Sequence, residues 1–176
     1  MTRIQKRARL FSVVALLSQI ALGLGVILGL FPVGHAGAYL LGWIDASWVS
    51  NLSIGDFQYA SLTTADPGSM SWLPLVFAAA LILGHGIYLF AIAQVFRRLM
   101  ELWASGHVFT EASAARIRTL GIGVGCYTIL PTGMSEAGFP SASIQINLIF
   151  AGLLITLVGW TFMEATKQRE ELEEVV

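Results

Sequence analysis

The chain has 176 residues, 56% of them hydrophobic and only 12% charged, with ten Lys and Arg against eleven Asp and Glu. Soluble domains carry roughly twice that charge, so with a mean hydropathy of +0.73 most of the chain belongs in lipid rather than in water. The length suits one small helical domain, and the lone cysteine, Cys126, excludes an internal disulfide and a CxxC metal site.

Arg3, Lys6, Arg7 and Arg9 precede an apolar run, Leu10–Phe31, which is expected to form a first membrane span stopped by Pro32-Val33-Gly34. The basic start and Ala36-Gly37-Ala38 imitate a secretory signal. The apolar run is longer than the h-region of about 7–15 residues, so an uncleaved anchor is expected. Residues 32–71 then make an outer loop. Its Tyr39, Trp43 and Trp48 suit an interfacial helix over 38–49; residues 56–64 read as a short extended piece, and Asp66-Pro67-Gly68 as a turn. Asn51-Leu52-Ser53 matches a glycosylation sequon of the kind that arises by chance.

The second span is expected over 72–96, with its helix continuing through Arg97 and Arg98 to Ser105. Such a helix is about 50 Å long, so its last turns project beyond the hydrocarbon core. Gly106 suits a helix C-cap. Thr110 suits an N-cap, with Glu111 at the positive end of the next helix and Phe109 as a hydrophobic staple onto it. That helix carries Arg116 and Arg118 and enters the bilayer as span three, 119–134, where Pro131 should kink it. A hairpin over Ser135–Ser143 leads to span four, 144–163, whose helix runs on into the charged tail 164–176.

All ten Lys and Arg fall on one side of this layout, the last two being Lys167 and Arg169. The outer segments hold Asp45, Asp56, Asp66 and Glu136 and nothing basic. By the positive-inside rule both termini lie in the cytoplasm. The expected fold is therefore all-α: a single-domain integral membrane four-helix bundle with a periplasmic cap from the first loop. The helical extensions within residues 97–118 protrude into the cytoplasm. The basic clusters hug span ends, so they indicate the lipid bilayer as partner and no nucleic acid.

Four constellations deserve weighing as chemistry. Counted from the basic end of each span, Gln19, His85, Tyr127, Thr128 and Thr156 fall near one depth, a candidate intramembrane polar layer. Intramembrane ionisable groups are functional candidates by default, although interhelical hydrogen bonds explain such residues as well. Haem ligation by His85 lacks a second histidine at matching depth, since His35 lies near the outer surface and His107 in the cytoplasmic turn. Gly121-Ile122-Gly123-Val124-Gly125 imitates a nucleotide loop but follows a helix rather than a strand; its Gly121/Gly125 spacing, like Gly25/Gly29, suits close helix packing. The acidic tail Glu170–Glu174 could pair with Arg97, Arg98, Arg116 and Arg118. No Ser-His-Asp set falls in one compartment, so no nucleophile site, metal site or cofactor is expected.

Gly106-His107-Val108-Phe109-Thr110, followed by Ala115-Arg116-Ile117-Arg118 and Gly121, resembles the bacterial four-span inner-membrane family numbered 2975 among domains of unknown function. The similarity implies a long second span, a Gly-x-x-Phe-Thr turn, a basic helix leading to span three and an acidic tail. Here the tail carries Lys167-Gln168-Arg169 where that family suggests a more apolar stretch. The family implies no activity and no catalytic residues. The expected role is non-enzymatic: an accessory, assembly or regulatory subunit that docks on a membrane protein partner or on a second copy. Arg97, Arg98, Gly106, Phe109, Thr110, Arg116 and Arg118 are the candidate docking residues. The alternatives are a small transporter or sensor using the layer around His85, and a haem-binding electron-transfer subunit.

Overall fold

A computed structural model describes residues 3–43, 72–130, 133–134, 140–141 and 145–174. Among these the protein is all-helical but for one two-residue β pair. Helix α1 spans Arg3–Leu40, α2 Trp72–Ala104, α3 Glu111–Cys126 and α4 Ile146–Glu174. A 3-10 turn, Tyr127–Ile129, extends α3. Strands β1, Gly133–Met134, and β2, Pro140–Ser141, pair antiparallel with Gly133 opposite Ser141. Three helices are long and apolar enough to cross a membrane: α1, Leu75–Ala104 of α2 and Ile146–Arg169 of α4. Only 11–17% of their most apolar windows is buried within the protein. Side chains such as Ile27 and Ile87 face outward, an apolar surface far larger than water-soluble monomers expose.

Two expectations are corrected here. Helix α1 does not stop at Pro32 but runs on to Leu40, with Gly42 closing it. Proline costs a helix interior one hydrogen bond and a ring clash, about 3 kcal/mol. A break would free several backbone groups, each costing several kcal/mol in lipid, so the uninterrupted helix wins. Conversely, Pro131 does not kink α3, because helical structure has already ended at Ile129. Leu130 is extended at ψ 137°, as the ring of a following proline demands. The interfacial helix expected over 38–49 lies outside the described residues beyond Trp43, as do the extended piece at 56–64 and the turn at Asp66.

Both α1 and α2 end in the same device. At α1, Gly42 (φ 72°) donates to Tyr39 O and Trp43 to Ala38 O. At α2, Gly106 (φ 94°) donates to Trp103 O and His107 to Leu102 O. This is the Schellman pattern, which needs a left-handed residue and therefore glycine.

The chain contacts divide into two compact units. One comprises Leu22–Ile87 and Pro131–Ala142. In it α1 and α2 run antiparallel, with Val26 against Gly86, Gly29 against Ile82 and the Trp72 ring beside Gly37. The other comprises Met1–Ala21, Tyr88–Leu130 and Ser143–Val176. Its buried core is Leu99, Met100, Ile117 and Leu120, with Phe96, Trp103 and Phe162 packed against it.

In this second unit α3 and α4 meet backbone to backbone. A Cβ built on Gly152 would stand 2.6 Å from Gly121 O and 2.7 Å from Gly125 Cα; one on Gly159 would stand 2.7 Å from Arg118 N. Gly121 faces Thr156 just as tightly. The glycine-rich run is thus a helix-packing face inside α3, the use that small residues serve between membrane helices. Gly25, by contrast, has open space beside it. Gly152→Ala should therefore destabilise the protein by about 1–3 kcal/mol through overpacking, while Gly25→Ala should leave stability unchanged or slightly raised. Thermal unfolding of the two variants in the same detergent reads the difference directly.

Candidate functional site at the turn between α2 and α3

The Gly106–Thr110 turn is held from both sides. Gly106 closes α2 as described, and Ser105 Oγ donates to Leu102 O at 2.8 Å. Thr110 sits in extended backbone (φ −137°, ψ 153°) and its Oγ1 accepts from Ser113 N at 3.2 Å, capping α3. Ser113 is fully buried and its hydroxyl donates to His107 O at 2.8 Å. The C-cap and N-cap foreseen in the sequence are thus both present, and Ser113 locks one to the other. Phe109 does something different from the expected staple: its ring stacks on Phe162 of α4, centroids 5.2 Å apart at 16°. It keeps 56% of its surface exposed.

The arginines anchor the same end. Arg97 pairs with Glu101 one turn along α2, Nε to Oε1 2.9 Å. Exposed pairs of this kind contribute at most about 0.5 kcal/mol, so this one orients more than it stabilises. The Arg116 guanidinium donates to the Arg98 backbone carbonyl, crossing from α3 to α2. Arg98 and Arg118 are exposed. Of the expected tail pairing, Glu171 is exposed and forms no ion pair with these arginines among the described residues; the side chains of Glu170, Glu173 and Glu174 lie outside the described residues. Trp103 Nε1 is a buried donor without a hydrogen-bond partner among the described residues.

This end is not a two-helix protrusion. Gln5 of α1 lies beside Gly106, with its Nε2 3.2 Å from where a Cβ would stand. Phe162 of α4 covers Phe109. Both α1 and α4 therefore accompany α2 and α3 to the turn.

The contacts also fix the levels of the four helices. Arg98 meets Arg116, Ile92 meets Gly123, and Tyr88 donates to Gly123 O at 2.7 Å. Arg97 and Arg118 consequently share one level. Gly159 abuts Arg118, so Lys167, eight residues further on, lies about 12 Å nearer the turn at 1.5 Å per residue. Gln19 Nε2 donates to Gln94 Oε1 at 2.8 Å. With Gln5 beside Gly106, this sets Arg9 about 8–10 Å nearer the turn than Arg97. The cations of this unit fall in two groups: Arg97, Arg98, Arg116 and Arg118 in one tier, and nearer the turn the N-terminal cluster with Lys167 and Arg169.

The candidate polar residues separate accordingly. Gln19 pairs with Gln94, which lies only three residues from Arg97 and so close to the arginine tier. Thr156 Oγ1 donates to Gly152 O at 2.8 Å, about 5 Å above that tier. Tyr127 and Thr128 lie higher, about 14–15 Å above it. The Tyr127 ring is 5.9 Å from that of Tyr88, and Thr128 donates to Gly125 O at 2.8 Å. His85 belongs to the other unit; its Nδ1 is 2.8 Å from Leu81 O, and because a carbonyl only accepts, Nδ1 carries the proton. Counting each residue from its own last cation set Gln19 and Thr156 too far from the arginine tier, because the cations of α1 and α4 lie nearer the turn than those of α2 and α3. Gln94 and Tyr88 are the partners that the sequence did not reveal. Gln94 reads there as an ordinary polar residue at a span end, and only the register brings it to Gln19.

Comparison with family models, with curated proteins and with solved structures found no match. The geometry itself is the available guide to function.

Two outcomes follow from this site. Gly106→Ala must adopt φ near +94° and should cost about 1–2 kcal/mol, and Thr110→Ala about 1 kcal/mol through the lost cap, both read by thermal unfolding. In a double-mutant cycle on Gln19 and Gln94, each single Leu substitution strands an amide, buried at Gln19 and half-buried at Gln94, and should destabilise. The double Leu variant should recover most of the loss, with a coupling near 1 kcal/mol.

Proposed function

We propose that the protein is a bacterial inner-membrane component crossing the bilayer four times with both termini in the cytoplasm. α3 with its 3-10 turn provides the helical part of the third crossing. Its role is non-enzymatic: an accessory or regulatory subunit that presents the Gly106–Thr110 end of the bundle to a membrane protein partner or a second copy. Three helices of spanning length, the outward apolar side chains and the one-sided cations support the address. The likeness of Gly106–Thr110 and Ala115–Gly121 to family 2975 supports the same layout and brings no activity with it.

The observation that carries the docking role is the build of the turn. Ser113, the paired caps and the core beneath hold it in one conformation, yet His107 and Phe109 remain exposed at its tip. A partner meeting such a tip loses little conformational freedom on binding, because the tip is already ordered. A photo-crosslinking residue placed at His107 should yield one adduct of defined mass with a protein in native membranes. The same residue at Leu157, on the exposed apolar face of α4, should yield only lipid adducts. Lipid adducts alone from both positions, together with a monomer in mild detergent, would overturn the docking role.

A further inference from the structure

The arginine tier is the least expected feature of the molecule. Arg97, Arg98, Arg116 and Arg118 share one level about 8–12 Å further from the turn than Arg9 and Lys167. If the chain spans a bilayer, as proposed above, a flat membrane surface drawn through Arg9 and Lys167 leaves the four arginines inside it. A flat surface through the arginines instead strands apolar side chains in water. At the arginine level α1 exposes Val13 and Val14 and α4 exposes Trp160, and nearer the turn α1 exposes Leu10 at 63% and Phe11. Neither flat surface suits both faces of the bundle.

The charge at this tier is also unbalanced. Two acids lie about 6–8 Å nearer the turn, Glu101, bound to Arg97, and Glu164, against four guanidinium groups. Arg98 and Arg118 project outward, and Arg116 spends one donor on a carbonyl. Guanidinium groups take phosphate oxygens in bidentate fashion, and they reach toward the interface along their own stems. A soluble anion would balance the charge but leave the neighbouring apolar side chains uncovered; an acidic peptide would do the same. An amphiphile with an anionic head satisfies both.

We propose that the arginine tier binds the headgroup phosphates of acidic phospholipids, drawn inward about 10 Å from the membrane surface defined by Arg9 and Lys167. The bilayer is then locally thinned beside α2 and α3 while its acyl chains cover α1 and α4. Lysines and arginines beside an acidic leaflet gain affinity from each charge, and the two exposed arginines supply the adjustable share.

The full chain, reconstituted in phosphatidylcholine vesicles with or without phosphatidylglycerol, tests this. Phosphatidylglycerol should raise the unfolding temperature of the wild type. The R98Q/R118Q variant should bind phosphatidylglycerol about thirtyfold more weakly and lose that rise, while unfolding like the wild type in pure phosphatidylcholine. R98K/R118K should keep part of the rise, and R3Q/R9Q, altered in the other tier, should keep nearly all of it. Inorganic phosphate and glycerol phosphate should produce none. An undiminished rise in R98Q/R118Q, an equal loss in R3Q/R9Q, or a rise from the soluble phosphates would overturn the proposal. Flotation separates the two readings: protein that fails to float with the vesicles refutes the membrane address, whereas floating protein indifferent to phosphatidylglycerol refutes only the lipid site.

Discussion

Gly152 has no room for a side chain, because the backbone of α3 occupies the space in which one would stand. With Gly159 against Arg118 and Gly121 against Thr156, this contact fixes α4 along α3 to within a residue. Sliding α4 by one turn would bring Leu148 or Thr156 towards the position Gly152 fills, and overpacking of that kind costs about 1–3 kcal/mol. The close approach thereby sets the level of everything α4 carries, from Trp160 to Lys167. The polar pair Gln19–Gln94 plays the corresponding part for α1 against α2. An amide left unpaired in an apolar setting costs about 1–3 kcal/mol, so it disfavours slippage there as the glycines do on the other side.

Once the register is fixed, the two tiers of cations follow without further assumptions. Each helix ends its apolar run at its own residue, and nothing requires these ends to align. The topological use of the positive charges and their energetic consequences are separate matters. All ten can lie on the same side of a bilayer while four of them sit well inward of the rest. Those four stand level with the best-packed part of the second unit, Leu99, Met100, Ile117 and Leu120, which in turn supports the Gly106–Thr110 turn. Tip, core and arginine tier are therefore parts of one ordered end. A partner at the tip and a lipid phosphate at the tier would each stabilise the same packed residues.

Much of the local structure was legible in the residues. Gly106 as a C-cap, Thr110 as an N-cap and the helical continuation of α2 beyond Arg97 follow from short-range rules, and the structure has all three. The apolar length of α1, α2 and α4 likewise announces helices able to cross a membrane. What was not legible depends on partners distant in the chain. Phe109 looked like a staple for its own helix because its partner Phe162 is more than fifty residues away. Pro32 looked like a stop because local rules weigh the lost hydrogen bond and not the cost of a broken helix in an apolar medium. The depths of Gln19 and Thr156 were misread for a simple reason: depth counted from a charged end presumes that the charged ends are level, and level is a property of packing.

The register of α1 against α2 is the central claim, and it can be measured directly. If Arg9 and Arg97 were level, Gln19 would lie opposite Ile87. In the structure it lies opposite Gln94, two turns away on the same face of α2. In a Cys126→Ser background, oxidative crosslinking of Q19C with Q94C should be rapid, and that of Q19C with I87C slow or absent. Efficient Q19C–I87C crosslinking with little Q19C–Q94C product would contradict the register, and with it the two tiers.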